Sequence, residues 1–570
     1  MERGLHMKFA EYPYEHIDID EVEKEFMRLL TTFTSANSFL DQDSLLAQLN
    51  KQRVHLQSLW SIVSIRHTID TTDPFYKQEN DYFDQIGPRI QGLNIELYRA
   101  LIESPFRNQL EEKWGKQLFR LAEVNLKTFS KEVLEDLQEE NTLASEYTKL
   151  LASAQILFDG EERNLSQLTP CENSEDRETR KKASIAKWGF FEQHAEELDN
   201  LYDKLVKVRT RIAKKLGYES FTHLAYDRMG RTDYNKDMVA SYREEVRKHI
   251  VPVATLLRER QQRRIGVDVL RYYDEGYHFK TGNPKPQGNP DWIVTQGQQM
   301  YSELSAETNQ FFEFMLDNGL MDLESKKGKA VGGYCTTIAE YGAPFIFSNF
   351  NGTHGDITVL THEAGHAFQT FCSLPLGVPE YEFPTSEAAE IHSMSMEFLT
   401  WPWMDLFFGN DTQKFKFMHL EDSLEFVPYG VSVDEFQHFV YANPDATPAE
   451  RKQAWREIER KYLPHRNYEG NAFLEEGSFW QKQLHIYLHP FYYIDYTLAQ
   501  VCAFQFWKKA NANREQAWAD YLNLCKQGGS KSFLELVAAA NLISPFQDGC
   551  IESVIGDIKA WLDTVDDRQL

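Results

Sequence analysis

The sequence comprises 570 residues, of which 42% are hydrophobic and 13% aromatic, enough for roughly two to four ordinary domains or one large helical body with lobes. Its 61 basic and 87 acidic side chains give a formal charge of −26, spread along the chain. This distribution argues against nucleic acid as a partner, because phosphate binding needs clustered lysine and arginine. Six cysteines without CxxC spacing, no signal-peptide pattern and no long apolar run predict a cytoplasmic protein with reduced thiols and no membrane partner.

The first 200 residues predict an N-terminal helical lobe. Residues 1–6 precede a second methionine, Met7, and are interpreted as an extension outside the fold. Apolar residues at three- and four-residue spacing predict helices over 20–33, 45–68, 93–101 and 106–137, with a turn at 70–74. Asp159-Gly160 lies between two short alternating runs, which predicts a β-hairpin near 156–169.

Residues 201–570 are predicted to form a catalytic lobe. Helical patterns cover 177–216, which crosses this boundary, and then 238–264 and 291–318, with a proline- and glycine-rich loop over 272–291 between the last two. Two short runs rich in β-forming residues, 331–338 and 344–350, predict strands directly before a helix around residue 360. A second helix is predicted from Ser386, and mostly helical sequence follows from residue 406.

The helix around residue 360 contains the pattern His-Glu-x-x-His. On a helix, positions four apart lie on one face, so His362 and His366 can bind one metal ion. Glu363 lies one step round the helix, where it can act as a base on water at that metal. Asp356 is the expected N-cap. The chance alternative is an ordinary surface helix, but this pattern lies in an apolar stretch where buried imidazoles need a partner.

A catalytic zinc site needs a third protein ligand, ideally a carboxylate. The helix from Ser386 presents Glu387, Glu390 and Glu397 on one face, either as an ordinary acidic face or with at least one side chain inside. We predict Glu390 as the ligand, Glu397 as the group that orients a ligating histidine, and Glu387 as the alternative ligand.

Several segments of this sequence resemble the oligoendopeptidase F and Pz-peptidase branch of the thimet oligopeptidase family of zinc peptidases. They are residues 333–336, 344–353, 360–369, 390–398, 485–487 and 490–496. The resemblance implies a mainly α fold, a large helical two-lobed body around a deep channel, with a small mixed β-sheet next to the zinc-binding helix. It implies one Zn²⁺ per chain held by His362, His366 and Glu390. It also implies substrate-binding roles for Tyr493, Tyr496 and His485, with His489 as a rival to His485.

Together, these observations predict a zinc-dependent endopeptidase that hydrolyses internal bonds of short oligopeptides by Glu363-assisted attack of a zinc-bound water. The alternatives are a zinc dipeptidyl peptidase or carboxypeptidase with the same ligands, and a non-catalytic peptide-binding protein with structural zinc. The strand at 345–350 either adds a substrate peptide to a free edge or is internal to its sheet.

Overall fold

The structure is a computed structural model that describes residues 7–326, 328–330 and 332–570. The proposed extension at residues 1–6 and Val331, the first residue of one predicted strand, lie outside the described residues. The mainly α class is confirmed, since helices make up most of the described chain and the strands form two small sheets. Within the described residues, no helix combines the length and the apolar character needed to cross a membrane.

The N-terminal part is helical, as predicted. Its helices are α1 Ile19–Ser35, α2 Phe39–Ile69, α3 Pro74–Ile102, α4 Arg107–Trp114, α5 Lys116–Lys127 and α6 Leu134–Ala152. Asp18, Ser38 and Asp73 cap α1, α2 and α3 by accepting backbone N–H bonds. The helix predicted over 106–137 is interrupted at Gly115, which has a φ of +92° and lies against the Tyr381 hydroxyl, where a Cβ would collide.

The predicted β-hairpin is present and shorter than expected. Strands β1 Ile156–Phe158 and β2 Glu161–Arg163 pair antiparallel around the Asp159-Gly160 turn. The chain then enters helix α7 Leu165–Glu172, whose N-cap is Asn164, so residues 165–169 are helical rather than part of the hairpin. The Asn164 side chain caps the first turn of α7, so the helix begins at Leu165 and the hairpin ends before it.

The remaining helices follow in chain order. They are α8 Arg177–Gln193, α9 Ala195–Lys215, α10 Phe221–Arg228, α11 Lys236–His249, α12 Val251–Ile265, α13 Pro290–Leu304, α14 Ala306–Asp317, α15 Gly355–Ser373, α16 Ser386–Leu399, α17 Asp405–Phe408, α18 Thr412–Ala442, α19 Pro448–Tyr462, α20 Ala472–Glu475, α21 Leu484–Leu488, α22 Tyr493–Ala512, α23 Arg514–Gln527, α24 Phe533–Ala539 and α25 Cys550–Asp563.

A three-stranded sheet lies directly before the motif helix. It contains β3 Met321–Glu324, β4 Tyr334–Ile338 and β5 Ala343–Phe350, in the order β3-β5-β4. The sheet is mixed, since β3 pairs parallel with β5 and β4 pairs antiparallel with it. β5 is therefore internal, and the alternative in which a substrate peptide adds to its edge is wrong. Strand β3 is not predicted from the sequence, because a four-residue strand is too short to show an alternating pattern.

The motif helix α15 packs tightly against α16. A Cβ added to Gly365 would lie 2.6 Å from the backbone oxygen of His392 and 2.6 Å from the Cα of Ser393. Glycine is therefore needed at this crossing, and it brings the two helices close enough for their side chains to share one site. The expected N-cap is wrong, because α15 begins at Gly355 and Asp356 instead accepts backbone N–H bonds from Asn351 and Gly352.

Candidate metal centre and active site

Two helices bring together three side chains that could hold a metal ion. His362 and His366 project from α15 and Glu390 from α16, and their ligand atoms all lie within 4.8 Å of one another. Glu390 Oε2 is 3.3 Å from His362 Nε2 and 3.6 Å from His366 Nε2. Ligands bound tetrahedrally to zinc at about 2.0–2.1 Å lie about 3.3 Å apart, so this donor set fits a zinc ion.

The carboxylate of Glu390 is held by two hydroxyl groups. Tyr492 donates a hydrogen bond to Glu390 Oε1 (3.1 Å), and Ser393 donates one to Oε2 (3.0 Å). The side chain is buried, so without these contacts and a cation its charge would be costly. His366 Nδ1 is also buried and has no hydrogen-bond partner among the described residues.

A hydrogen-bonded chain behind His362 determines which nitrogen faces the site. Trp401 Nε1 donates to His419 Nδ1 (3.0 Å), so His419 carries its hydrogen on Nε2 and donates it to Glu397 Oε2 (2.6 Å). The other oxygen of Glu397 lies 2.7 Å from His362 Nδ1 and accepts its hydrogen. His362 Nε2 is left with a lone pair directed at the metal position.

His362, His366 and Glu390 are called the triad below. Glu363 lies beside this triad, on the side of strand β4. It is 8% exposed, and an ideal Cβ on Gly333, just before β4, would lie 3.8 Å from Glu363 Oε1. Burial raises the pKa of the Glu363 carboxyl above its ordinary value. A buried carboxylate with a raised pKa, next to a candidate metal site, is suited to accept and return a proton.

Glu387, the alternative third ligand, lies outside the group of three. Its buried carboxylate is near the guanidinium of Arg231. Arg231 itself donates hydrogen bonds to Asp495 Oδ1 and to the backbone oxygen of Phe491, both at 2.6 Å. Through these two hydrogen bonds Arg231 holds the first turn of α22, and it thereby positions the tyrosines at the start of that helix.

Those tyrosines and His485 form an aromatic group next to the triad. The His485 ring lies 5.0 Å from the Tyr493 ring and 5.8 Å from the Tyr496 ring, between centroids. All three line a cavity of about 490 Å³ that also includes Glu397 and Met394 of α16. His489, the rival of His485, is not among the residues that line this cavity.

The hydrogen bonds of His485 identify its tautomer. Gln483 Nε2 donates to His485 Nδ1 (2.9 Å), while Gln483 Oε1 accepts from the Tyr429 hydroxyl (2.8 Å). Burial, with a contribution from His489, lowers the pKa of His485 to about 4. The ring is therefore neutral near pH 7, with its hydrogen on Nε2 as a donor.

Sequence reasoning missed two contributors to the site. It assigned no role to Tyr492, which donates a hydrogen bond to Glu390. It did not single out His419, which lies on α18 and contacts Glu397 from 22 residues away in the chain. The one available signal for His419 was a histidine in the apolar sequence of α18, and such a residue is more often a core histidine than part of a site.

Comparisons with known proteins cover almost the whole chain. Residues 9–129 match the peptidase M3 N-terminal domain and residues 171–554 match peptidase family M3. The structure of Pz peptidase A with an inhibitor is 60% identical, covers 98% of this chain and all of its own, and superposes with a TM-score of 0.95.

Two curated relatives are more distant. The oligopeptidase PepF of Bacillus subtilis (strain 168) is 21% identical over 550 residues, which is 87% of this chain and 77% of the relative. The oligoendopeptidase F homolog of Borreliella burgdorferi is 23% identical over 458 residues, 75% of this chain and 74% of the relative. These matches confirm the resemblance drawn from the motifs, and the chain belongs to peptidase family M3.

Proposed function

We propose that this peptidase is a zinc-dependent endopeptidase that cleaves internal bonds of short oligopeptides. The observation that carries the proposal is the convergence of His362, His366 and Glu390 beside the buried Glu363. A structural zinc site normally uses four protein ligands, whereas this group has three among the described residues. That difference favours a hydrolytic metal over a structural one.

The proton transfers are assigned to Glu363. A zinc ion held by the triad would lower the pKa of water and polarise the substrate carbonyl. Glu363 then removes a proton from the attacking water and delivers it to the departing amine. Its buried position keeps the carboxylate poorly solvated, which raises its proton affinity and suits it to both steps.

The negative charge that develops on the carbonyl oxygen needs hydrogen-bond donors. We assign these to Tyr496, Tyr493 and the Nε2–H of His485, which line one cavity next to the triad. One such donor is typically worth roughly 3–4 kcal/mol of the activation barrier. Tyr492 is a positioning residue, since its hydroxyl is bonded to Glu390.

Two cavities, lined by residues that precede and follow the motif along α15, favour cleavage within a peptide over trimming from one end. The cavity with Tyr493 and Tyr496 is also lined by Thr358 and Val359, which precede His362 on α15. A second cavity, of about 410 Å³, is lined by Thr370, which follows His366 on the same helix. We infer that a substrate extends into both cavities from the metal position, as an endopeptidase requires.

The test uses an oligopeptide that is acetylated at its N-terminus and amidated at its C-terminus. We expect the unmodified protein to cleave an internal bond, a chelator to abolish cleavage and zinc to restore it, with products identified by mass spectrometry. Glu363→Gln should keep about one zinc per chain by elemental analysis and lose about 100- to 10,000-fold in kcat.

Two results would contradict the proposal. Cleavage only of peptides with an unblocked terminus would indicate an exopeptidase. Undiminished turnover by Glu363→Gln would remove the assigned base.

A further inference from the structure

The cavity lined by Thr370, which follows His366 on α15, also contains acidic side chains that take no part in the proposed catalytic steps. Its volume is about 410 Å³, and it lies between helices α2 and α3, strand β4 and the segment 379–383. Two carboxylates, Glu380 and Glu382, and one cation, Arg53, line it. The indole of Trp60 and the ring of Phe383 are also part of the lining.

The segment that carries the acids is tied to the motif helix. Gln369 Nε2, on the turn of α15 after His366, donates to the backbone oxygen of Glu382 (3.2 Å), and Ser373 Oγ donates to the same oxygen (3.3 Å). The ring of Phe383 lies 6.3 Å from the ring of His366, between centroids. These contacts hold the segment close to the metal centre. Both hydrogen bonds end on the backbone oxygen of Glu382, and its carboxylate takes no part in them.

The charges within the cavity do not balance. Arg53 is paired with Glu380, which also accepts a hydrogen bond from the Tyr98 hydroxyl (2.8 Å). The carboxylate of Glu382 has no hydrogen bond or ion pair among the described residues, and burial raises its pKa to about 7, with Glu380 adding to the effect. Of the two carboxylates that line the cavity, Glu382 is thus the one without a cationic partner among the described residues.

We propose that Glu382 binds a cationic group of the peptide substrate in this cavity, either an arginine or lysine side chain or the N-terminal amine. A cation would pair with the Glu382 carboxylate, and aromatic rings such as those of Trp60 and Phe383 in the lining attract cations as well. An anionic group is disfavoured, because the one cation that lines the cavity is already paired. This inference rests on the proposed function, whose substrate it narrows to peptides with a positive charge a short distance from the cut bond.

The experiment compares arginine with citrulline, which has nearly the same shape and no charge. End-blocked peptides carry one or the other at each position in turn, and a further pair differs only by N-terminal acetylation. We expect the charged member to have a kcat/KM about 10- to 100-fold higher at one position or at the N-terminus, the size typical of a charge-assisted hydrogen bond. The two arms distinguish a side chain from the terminal amine.

In Glu382→Gln the ratio of kcat/KM between the charged and the uncharged member of each pair should fall to about one. Glutamine has the same size and leaves the backbone contacts with Gln369 in place, and a ratio within one protein cancels any general loss of activity. The matched control is Glu340→Gln, which removes a charge from a residue paired with His55 and outside the cavity lining. The control should retain the full ratio.

Equal kcat/KM values within every pair for the unmodified protein would overturn the proposal, and so would an unchanged ratio in Glu382→Gln. The same peptides are also titrated calorimetrically against Glu363→Gln, which reports binding without turnover. If the unmodified protein cleaves none of the peptides but Glu363→Gln binds the charged members more tightly, the endopeptidase assignment is contradicted and the cation site is supported. If the peptides are cleaved without any dependence on charge, the cation site is contradicted and the endopeptidase assignment is supported.

Discussion

Three glutamates of α16 share one helix face, yet each has different surroundings. Glu390 meets the two histidines, Glu397 lies behind His362, and Glu387 is buried under the electrostatic influence of Arg231. Their spacing along the helix does not distinguish them, since all three lie in the same buried segment. The groups that other segments of the chain place beside each carboxylate decide which of them is available to a metal.

Replacing Glu390 tests the proposed third ligand directly. We expect Glu390→Ala to lose zinc, because two imidazoles alone bind the ion weakly. Glu387→Gln is the matched control on the same helix and should keep about one zinc per chain. Both are measured by elemental analysis after dialysis. Full zinc occupancy in Glu390→Ala would move the ligand role to another side chain.

The hydrogen bond between His362 and Glu397 leads to a separate prediction. Glu397→Ala removes the acceptor of the His362 Nδ1 hydrogen and leaves His419 without its carboxylate partner. Loss of such an orienting group typically costs about 10- to 100-fold in metal affinity. Competition with a chromophoric chelator measures the zinc dissociation constant, and an unchanged value would show that His362 is oriented by other contacts.

At the scale of elements, the site depends on how closely α15 and α16 cross. Gly365 makes this approach possible, since a methyl group there would overlap the backbone of His392 and Ser393. The contact is between backbones, so no side-chain rotation can relieve the overlap. The helices must separate, and the histidines then move away from Glu390.

We therefore expect Gly365→Ala to lower the free energy of unfolding by about 1–3 kcal/mol and to weaken zinc binding. Urea unfolding and zinc competition measure the two effects. Gly189→Ala in α8 is the control, because a Cβ there meets no atom within 4 Å. It should be neutral or stabilising by up to about 1 kcal/mol. Equal behaviour of the two variants would mean that this crossing can widen without cost.

For the whole molecule, a buried charge cluster links the 272–289 loop to α18. His278 lies 3.1 Å from Glu421 through Nδ1 and 3.1 Å from Asp422 through Nε2. Burial opposes its charge, but these two carboxylates outweigh burial and raise the pKa of His278 from 6.5 to about 9. Folding therefore favours the protonated imidazole.

The sign of the resulting pH dependence follows from that shift. The stabilisation is complete below the unfolded pKa of 6.5 and is lost as the pH rises through about 9. We expect the difference in free energy of unfolding between the unmodified protein and His278→Gln to reach about 3 kcal/mol at low pH and to shrink towards pH 9. Urea unfolding across this range measures it, and a difference independent of pH would contradict the assignment.

The sequence by itself determined most of the helical architecture and the core of the motif. Helix periodicity is local, so apolar spacing located α1 to within two residues at either end and the C-terminal end of α2 to within one. The single helix predicted over 177–216 is divided into α8 and α9. The same geometry places His362 and His366 on one face, whatever surrounds them. The division into lobes at residue 200 stays a prediction.

Only the tertiary structure decided which distant groups complete the site. Tyr492 reaches Glu390 across 102 positions of sequence, and β3 joins the sheet as a parallel neighbour of β5. Glu382 also stands out only when the cavity around it is known. The physical reason is that a hydrogen bond or an unpaired charge depends on what another element brings to the same point in space, and local spacing does not encode that.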